Sequence, residues 1–403
     1  MKYIVILGDG MADYCQKRLN DKTPLEVANI PIVDYMAKNG EVGLCRTIPD
    51  GLKPGSDVAN LSVLGYDVKA CYTGRSPLEA ASIGINIQDT DVTLRANLVT
   101  LSNEENYVDK TMLDYSAGEI STQEARELIE FLAEKLNSEK VKLYAGISYR
   151  HCLVVENGSL AGDFTPPHDI TNQPIKNHLP TSSVGKEYLE LMVKSYDLLK
   201  DHPVNKKRIS LGKRPANSLW FWGEGTKPRL EKFKDRYGLK GAMISAVDLL
   251  KGIGKLADMK VIEVEGATGN YDTNFSGKAK ACVDALASGI DFCYIHIEAP
   301  DECGHHGDAD NKIFSIEQID QKVVKYIKEE MENRGEEYSM LICPDHPTPL
   351  CKMTHVSDPI PFIIYRSNEL KGNGAKAYTE KEALGTGLYI ESGEQLMKRF
   401  LEK

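Results

Sequence analysis

Three apolar, strand-like runs in this chain are each followed by an acidic residue, and this recurrence constrains both the fold and the chemistry. The runs and their acidic residues are 3–7 with Asp9, 292–297 with Asp301, and 340–343 with Asp345. Short apolar runs are typical of buried strands, and open parallel sheets bind ligands at the carboxyl ends of their strands. We therefore expect the three carboxylates to lie together at one edge of a sheet.

Histidines accompany two of these acidic residues at spacings typical of metal ligands. His305 follows Asp301 by four positions, His346 is adjacent to Asp345, and His355 comes nine residues after His346. Each pair alone is a weak signal, because such pairs also occur in surface turns. Together with the first acidic residue they supply six carboxylate and imidazole groups, enough for two divalent ions. Several oxygens per ion favour Mn²⁺ or Mg²⁺, with Zn²⁺ or Co²⁺ also compatible.

Composition places the chain among ordinary globular proteins. At 403 residues it is too long for one typical core, so two domains are expected. No apolar run approaches the length of a membrane span, and the strand pattern beginning near Met1 leaves no room for a signal peptide. The nine cysteines contain no C-x-x-C pair, which argues against a disulfide framework or a zinc ribbon. These features predict a cytoplasmic protein without a membrane partner.

The net charge of −10 argues against general affinity for nucleic acid. An acidic protein still binds a small anion when metals and a few arginines focus positive potential locally. We therefore expect a small phosphorylated substrate; the sequence does not indicate an oligomeric state.

The order of these elements predicts an α/β protein with an insertion. Strand-like and helix-like patterns alternate at both ends of the chain, which favours a mainly parallel sheet. The metal-ligand candidates avoid the middle of the chain. We predict a metal-binding phosphotransfer domain formed by 1–70 and 215–403, interrupted by a smaller α/β domain at 71–214 that binds substrate or acts as a lid.

Ser56 is the candidate nucleophile. It follows Pro54-Gly55 at the expected first turn of a helix, where free amides favour a phosphate. A serine hydroxyl is a weak nucleophile unless it is ionised, and a divalent metal is one means of ionising it. Most serines in this context only cap the helix. The preceding Gly-Asp-Gly sequence at 8–10 and the two candidate metal sites favour the catalytic interpretation.

Eight stretches carry a resemblance to a known family. They are 8–11, 54–61, 72–80, 94–97, 217–223, 266–269, 296–305 and 343–346. In these stretches, which span nearly the whole chain in order, the sequence resembles the archaeal-type, cofactor-independent phosphoglycerate mutases of the alkaline phosphatase superfamily.

The resemblance implies a fold, a ligand set and an activity. The fold is an alkaline-phosphatase-like metal domain with a smaller inserted domain. The implied ligands are Asp301, His305 and His355 for one metal, and Asp9, Ser56, Asp345 and His346 for the other. The implied activity is interconversion of 3-phosphoglycerate and 2-phosphoglycerate through phosphoserine at Ser56. It belongs to glycolysis and gluconeogenesis and needs no 2,3-bisphosphoglycerate.

Clamping the substrate carboxylate and phosphate calls for arginine, whose planar fork matches such anions. The candidates in or beside the insertion are Arg75, Arg95, Arg150 and Arg214, with His151 and His168 as groups that could donate or shuttle a proton. Any one of these residues could instead be an ordinary surface or structural residue.

Three other functions remain open from the sequence. A branch of this family is proposed to act as a homoserine kinase, although no G-x-x-x-x-G-K-[ST] phosphate loop is present. A metal-dependent phosphatase would use the same nucleophile and release free phosphate. A non-catalytic metal-binding scaffold is the third alternative, and it does not require Ser56.

Overall fold

The chain divides into two compact units in the computed structural model, which describes residues 1–402. The first unit combines residues 1–72 with the segment from Arg229 onward, and the second is Thr73–Pro228. No helix among the described residues is long and apolar enough to cross a membrane.

The described residues form thirteen strands and sixteen α-helices. The strands are β1 (Lys2–Gly8), β2 (Glu41–Cys45), β3 (Val92–Leu101), β4 (Met112–Asp114), β5 (Val141–Ile147), β6 (Arg150–Val155), β7 (Ser218–Thr226), β8 (Gly241–Ile244), β9 (Lys260–Ile262), β10 (Phe292–Ile297), β11 (Tyr338–Cys343), β12 (Ile360–Arg366) and β13 (Tyr389–Ile390). The helices are α1 (Pro24–Val27), α2 (Pro31–Asn39), α3 (Ser56–Val63), α4 (Val68–Cys71), α5 (Ser76–Ser82), α6 (Thr122–Leu136), α7 (Ser183–Leu199), α8 (Pro203–Ser210), α9 (Phe233–Tyr237), α10 (Asp248–Leu256), α11 (Phe275–Ala287), α12 (Ala299–His305), α13 (Ala309–Gln318), α14 (Lys325–Asn333), α15 (Glu380–Gly385) and α16 (Gly393–Leu401).

The first unit is built on an eight-stranded sheet in the order β13-β2-β12-β11-β1-β10-β8-β9. The five strands from β11 to β9 run parallel, whereas β12 is antiparallel to both of its neighbours. Every residue of β10 and β11 is buried, as expected for parallel strands covered on both faces. The predicted α/β fold class with a mainly parallel sheet is confirmed.

The connection between β10 and β11 is helical throughout most of its length and contains a π-helical turn. Helices α13 and α14 flank this turn, Ile319–Val324. Ile316, Val323 and Ile327 are buried in the core that covers the sheet. A π turn shifts the side chains that follow it around the helix axis, and such turns often mark functional positions. In this chain the turn contains a buried acidic residue.

Asp320, within the π turn, caps a helix that is distant in sequence. Its Oδ1 accepts hydrogen bonds from the backbone amides of Ile32 (3.0 Å) and Val33 (2.7 Å) in the first turn of α2. The residue at the N-cap of α2, Ile30, offers no capping side chain. The free amides at the start of α2 are therefore satisfied by a carboxylate from another helix.

The second unit contains a smaller, antiparallel sheet in the order β4-β3-β6-β5, with β7 also paired to β3. One face of this sheet packs on α6 and α7 through a core that includes Leu94, Leu98 and Leu153. The short helix α5 packs against β3, β6 and β7. This arrangement leaves polar side chains of β3 and β7 near α5.

The observed second unit extends farther than the predicted 71–214. The difference is β7, which the prediction assigned to the metal-binding domain. Because β7 pairs with β3 along seven positions, including Asn97 with Trp220 and Arg95 with Trp222, it belongs to the smaller sheet. The observed division therefore falls after Pro228.

Asp320 predicts a measurable pH dependence of stability. Burial raises its pKa to about 6, whereas an aspartate in an unfolded chain ionises near pH 4. Between these values the unfolded state releases its proton first, so this residue lowers the free energy of unfolding as pH rises from 4 to 6. The loss should be on the order of 2 kcal/mol. Asparagine at position 320 cannot ionise. The free energy of unfolding of Asp320→Asn, measured with urea from pH 4 to pH 7, should therefore not show this decrease.

The matched control for this experiment is Asp89→Asn, since the side chain of Asp89 is 83% exposed. Its unfolding free energy should follow the wild-type pH profile. Equal slopes for Asp320→Asn and the wild type would contradict the prediction.

Candidate metal centre and active site

Strand register brings the three acidic residues to one edge of the large sheet. Leu7 of β1 is paired with His296 of β10 on one side and with Cys343 of β11 on the other. The chain leaves these three strands at the same level, so Asp9, Asp301 and Asp345 follow at the same edge. All three carboxylates are buried.

Asp9, Asp345 and His346 form the first candidate metal cluster, hereafter the Asp9 cluster. Their ligand atoms all lie within 4.8 Å of one another. His346 Nε2 is 3.4 Å from Asp345 Oδ2 and 3.8 Å from Asp9 Oδ1. All three side chains are fully or almost fully buried. This donor set of two carboxylates and one imidazole suits a divalent cation.

The charges in the Asp9 cluster call for a cation. Burial and the neighbouring Asp345 raise the pKa of Asp9 well above its usual range. Asp9 Oδ1 is buried and has no hydrogen-bond partner among the described residues. Two buried carboxylates in contact share a proton unless a cation replaces it. The unpartnered oxygen and the like charges therefore fit a bound divalent ion.

Asp301, His346 and His355 form the second candidate cluster, hereafter the Asp301 cluster, and His305 lies against it. His355 Nε2 is 3.5 Å from Asp301 Oδ1, and His305 Nε2 is 3.2 Å from Asp301 Oδ2. The two Nε2 atoms of His305 and His355 are 2.9 Å apart. Three imidazole nitrogens and a carboxylate thus converge, and His346 belongs to both clusters.

The protonation of the Asp301 cluster is set by its own contacts. Burial alone would raise the pKa of Asp301, but hydrogen bonds from His305 and His355 hold it well below its usual range. The hydrogen bond with Asp301 raises the pKa of His305 to about 9. His305 Nδ1 lies 3.1 Å from the carbonyl oxygen of Met353, to which it donates. This contact aims Nε2 at the cluster, in the way that a carbonyl bonded to the other ring nitrogen commonly orients a metal-binding histidine.

Ser56 lies beside the Asp9 cluster as the first residue of α3. Gly55, rather than Ser56, occupies the N-cap position, so a capping role does not account for the serine. Ser56 Oγ is 3.2 Å from His346 Nε2. Asn60, one turn later, donates to the Ser56 carbonyl oxygen (2.8 Å) and to Asp345 Oδ2 (2.9 Å). The nucleophile candidate and a candidate ligand are therefore held by one amide.

The structure adds His296 and Asn60, which the sequence analysis did not assign to the site. His296 Nε2 is 2.9 Å from Asp9 Oδ2, and burial lowers the pKa of this imidazole to about 4, so it is neutral. Asn60 also accepts from the Tyr294 hydroxyl at 2.7 Å. The available sequence signal was a histidine within an apolar strand, one residue before its end. Recognising its role required the pairing of β10 with β1.

A second polar cluster lies within the smaller unit, around Glu79 of α5. Glu79 Oε1 is 2.9 Å from Arg75 Nε, and its Oε2 is 2.9 Å from Arg95 Nε. The Arg95 guanidinium lies over the Trp222 ring, 4.2 Å from its centroid. Burial alone would raise the pKa of Glu79, but Arg95, Arg75 and Arg150 hold it below its usual range. Two arginines contact this carboxylate and Arg150 adds positive charge nearby, leaving positive charge available for an anion.

The six predicted substrate-binding residues do not all meet at this cluster. The ring of His168 lies against Trp222, with centroids 5.1 Å apart, and so belongs beside Arg95. His151 pairs with Ala96 across the sheet and lies on the face that carries Leu153, opposite to Arg95. Burial lowers the pKa of His151 to about 3, so its imidazole is neutral.

Arg214 has a separate environment. Its Nη1 lies 3.6 Å from Asp114 Oδ2 and donates to the carbonyl oxygen of Leu113. The structure therefore groups Arg75, Arg95, Arg150 and His168, and places Arg214 with β4.

Comparison with known proteins agrees with the resemblance found in the sequence. A curated relative from Methanosarcina barkeri, named 2,3-bisphosphoglycerate-independent phosphoglycerate mutase, is 48% identical over 398 residues and covers 98% of each chain. The chain belongs to this family. A sequence profile of the family, described as 2,3-bisphosphoglycerate-independent phosphoglycerate mutase, matches residues 37–205.

Two solved structures have the same fold as this member of the phosphoglycerate mutase family. The PH0037 protein from Pyrococcus horikoshii is 30% identical, covers 99% of this chain and 96% of its own, and has a TM-score of 0.82. A cofactor-independent phosphoglycerate mutase from Thermoplasma acidophilum is 26% identical, with coverage of 100% and 99% and a TM-score of 0.68. The family fold thus extends over both units.

A substitution at Gly10 tests the geometry of the candidate metal centre by steric collision. Its φ is +62°, and a Cβ at this position would lie 2.6 Å from both Asp301 Oδ1 and Thr348 Oγ1. Gly10→Ala should therefore displace Asp301 and weaken Mn²⁺ binding at least tenfold in calorimetric titration. Mutation of residues that hold metal ligands in place typically lowers metal affinity by about 10–100-fold.

Gly51→Ala is the matched control, since Gly51 also has a positive φ (+88°) but a Cβ there would meet no atom within 4 Å. It should incur the backbone strain without the collision and bind Mn²⁺ normally. Normal binding by Gly10→Ala would contradict the predicted collision.

Proposed function

We propose that this chain interconverts 3-phosphoglycerate and 2-phosphoglycerate through a phosphoserine at Ser56. The observation that carries the proposal is the position of Ser56 Oγ, 3.2 Å from the histidine that belongs to both candidate metal clusters. Full-length similarity to curated phosphoglycerate mutases supports the same reaction. The pathway context is glycolysis and gluconeogenesis, and the proposed location is the cytoplasm.

Two divalent ions are part of the proposal, with Mn²⁺ as the preferred ion. Asp301, His305 and His355 would hold one ion; Asp9, Ser56, Asp345 and His346 would hold the other. When bound, such ions stabilise both the attacking and the leaving oxygen of an in-line displacement and favour the ionised serine. The buried, unpartnered oxygen of Asp9 supports this assignment.

The proposed reaction moves one phosphoryl group twice. Ser56 Oγ loses its proton and forms a bond to phosphorus as the bond from phosphorus to O3 of 3-phosphoglycerate breaks, and O3 gains a proton. The bound glycerate then turns so that its 2-hydroxyl faces the phosphoserine. O2 forms a bond to phosphorus and releases its proton, and Ser56 Oγ leaves and recovers a proton. No external phosphate donor enters, consistent with a family named for independence from 2,3-bisphosphoglycerate.

The first turn of α3 assists this exchange. The amides of Ser56 and Asp57 precede the first helical hydrogen bond, which Ala59 donates to the Gly55 carbonyl oxygen, and the helix dipole places partial positive charge beside Ser56. Asn60 holds the Ser56 carbonyl and Asp345 together and so fixes the serine relative to the candidate ligand. These contacts position the hydroxyl before substrate binds, which reduces the entropic cost of the transition state.

The arginine cluster of the smaller unit is proposed to bind the substrate anion. Arg75 and Arg95 are paired with Glu79, so their side chains are partly ordered before an anion arrives. Trp222 supports the Arg95 guanidinium and donates from Nε1 to Asn97 Oδ1 at 3.0 Å. Retention of glycerate also requires exclusion of water, since water at the phosphoserine would release phosphate. The sequence-based prediction gives that lid role to the inserted domain.

The assignment of Ser56 as the nucleophile can be tested by substitution. Ser56→Ala should abolish conversion of 3-phosphoglycerate to 2-phosphoglycerate, because no phosphoenzyme forms, while calorimetry still detects Mn²⁺ binding to the remaining ligands. A coupled assay without ATP or bisphosphoglycerate measures the conversion, and EDTA should remove it from the wild type. Ser62→Ala, a buried serine on the same helix, is the control and should remain active.

The same assay separates the alternatives. Release of free phosphate with little 2-phosphoglycerate would indicate a phosphatase, and formation of homoserine phosphate from ATP and homoserine would indicate the kinase-type activity. Unchanged mutase activity in Ser56→Ala would refute the phosphoserine route.

The proposed role of Arg95 in substrate binding can also be tested by substitution. Arg95→Lys keeps the charge but removes the planar fork and its stacking on Trp222. A lost charged hydrogen bond is worth roughly 1.5–3 kcal/mol, so KM for 3-phosphoglycerate should rise about tenfold or more, with a smaller change in kcat. Arg126→Lys on the exposed side of α6 is the control and should leave both constants unchanged. A wild-type KM for Arg95→Lys would remove Arg95 from substrate binding.

A further inference from the structure

Thr348 is a buried residue whose single hydroxyl contacts both candidate metal clusters. Its Oγ1 donates a short hydrogen bond to Asp301 Oδ1 and lies 3.3 Å from His346 Nδ1. Asp301 belongs to the Asp301 cluster, and His346 belongs to both. We infer that Thr348 is a positioning residue that holds His346 in the tautomer able to bind a metal and fixes Asp301 at the same time. This inference concerns the metal ligands assigned in the proposed function.

Counting hydrogens determines the direction of the two hydrogen bonds. A threonine hydroxyl has one hydrogen to donate, and an ionised carboxylate only accepts. The hydroxyl hydrogen therefore points to Asp301, and towards His346 the hydroxyl oxygen acts as acceptor. His346 Nδ1 must then carry the imidazole proton and donate it to Thr348.

The consequence is an unprotonated Nε2 on His346. This atom faces Ser56 Oγ at 3.2 Å, Asp345 Oδ2 at 3.4 Å and Asp9 Oδ1 at 3.8 Å. A neutral imidazole has one proton, so placing it on Nδ1 directs the lone pair of Nε2 at these groups. The opposite tautomer would direct a hydrogen at the place where the donor atoms converge.

The backbone of Thr348 is fixed strongly enough to impose this geometry. Its carbonyl oxygen accepts from Lys312 Nζ at 2.8 Å, and its amide donates to the Ala12 carbonyl oxygen at 3.3 Å. Lys312 Nζ also pairs with Asp13 Oδ2 at 2.7 Å, and both side chains are fully buried. Gly304 of α12 approaches the Thr348 carbonyl so closely that a Cβ on the glycine would lie 2.6 Å from it. Thr348 therefore cannot drift away from either ligand.

Substitutions at Thr348 separate the hydroxyl from the side-chain shape. Thr348→Val is nearly isosteric but has no hydroxyl, whereas Thr348→Ser keeps it. In calorimetric titration of the full-length protein with Mn²⁺, Thr348→Val should weaken both binding steps by about 10–100-fold. Thr348→Ser should bind within a few-fold of the wild type. Thr100→Val is the control: it removes the hydroxyl of another buried threonine, which donates to the Pro215 carbonyl in the smaller unit, and should bind Mn²⁺ normally.

The tautomer of His346 can be measured directly in the wild type, and the same measurement on Thr348→Val shows whether Thr348 sets it. In ¹⁵N spectra of the metal-free wild type with labelled histidine, the His346 signal, assigned by its loss in His346→Gln, should show the proton on Nδ1. In Thr348→Val the proton should move wholly or partly to Nε2, a change that a purely packing role would not produce.

The outcomes divide cleanly. A proton on Nε2 in the wild type, unchanged Mn²⁺ binding in Thr348→Val, or equal weakening in Thr348→Val and Thr348→Ser would each overturn the inference. If the wild type bound no Mn²⁺, the proposed metal assignment would fail, and the ¹⁵N spectrum of the wild type would still decide the tautomer.

Discussion

The register of three parallel strands is the constraint on which the rest of the structure depends. β1 lies between β10 and β11, and Leu7 is level with His296 and Cys343. This alignment brings together residues separated by 289 and 336 positions in sequence. Because side chains alternate between the faces of a sheet, a shift of β1 by one residue would exchange the side chains on its two buried faces and displace Asp9 along the edge. The chemistry at the sheet edge is therefore specified by packing in the sheet interior.

Burying several carboxylates at one edge has an electrostatic consequence. Asp9, Asp301 and Asp345 are nearly inaccessible, and charged groups in such places are stable only when they are paired or bound to a metal. The protein provides partial compensation through His296, the amide of Asn60 and the hydroxyl of Thr348. The remaining negative charge at this edge favours a bound cation.

The sequence was informative where function follows from the ends of strands, and less so where it follows from pairing. The fold class was predicted correctly, because alternating strand-like and helix-like patterns imply a mainly parallel sheet. The family was predicted correctly from the resemblance of eight stretches of the sequence. His296 and Thr348 were missed because their partners are set by strand register and by a loop conformation. The end of the inserted unit was misplaced because β7 looks like any apolar strand until it pairs with β3. The roles of the ligands and arginines remain predictions, although the geometry brings the seven proposed metal ligands together.

The central position of β1 also affects how the chain can fold during synthesis. This strand leaves the ribosome well before both of its neighbours, β10 and β11, and the carboxylate that caps α2 comes 288 residues after its amide partner. At typical elongation rates these partners arrive on the order of tens of seconds later. During that interval the apolar strand β1 has no native strand to pair with and is a target for chaperones or for aggregation. The continuous smaller unit, in contrast, emerges with all of its sheet partners already made.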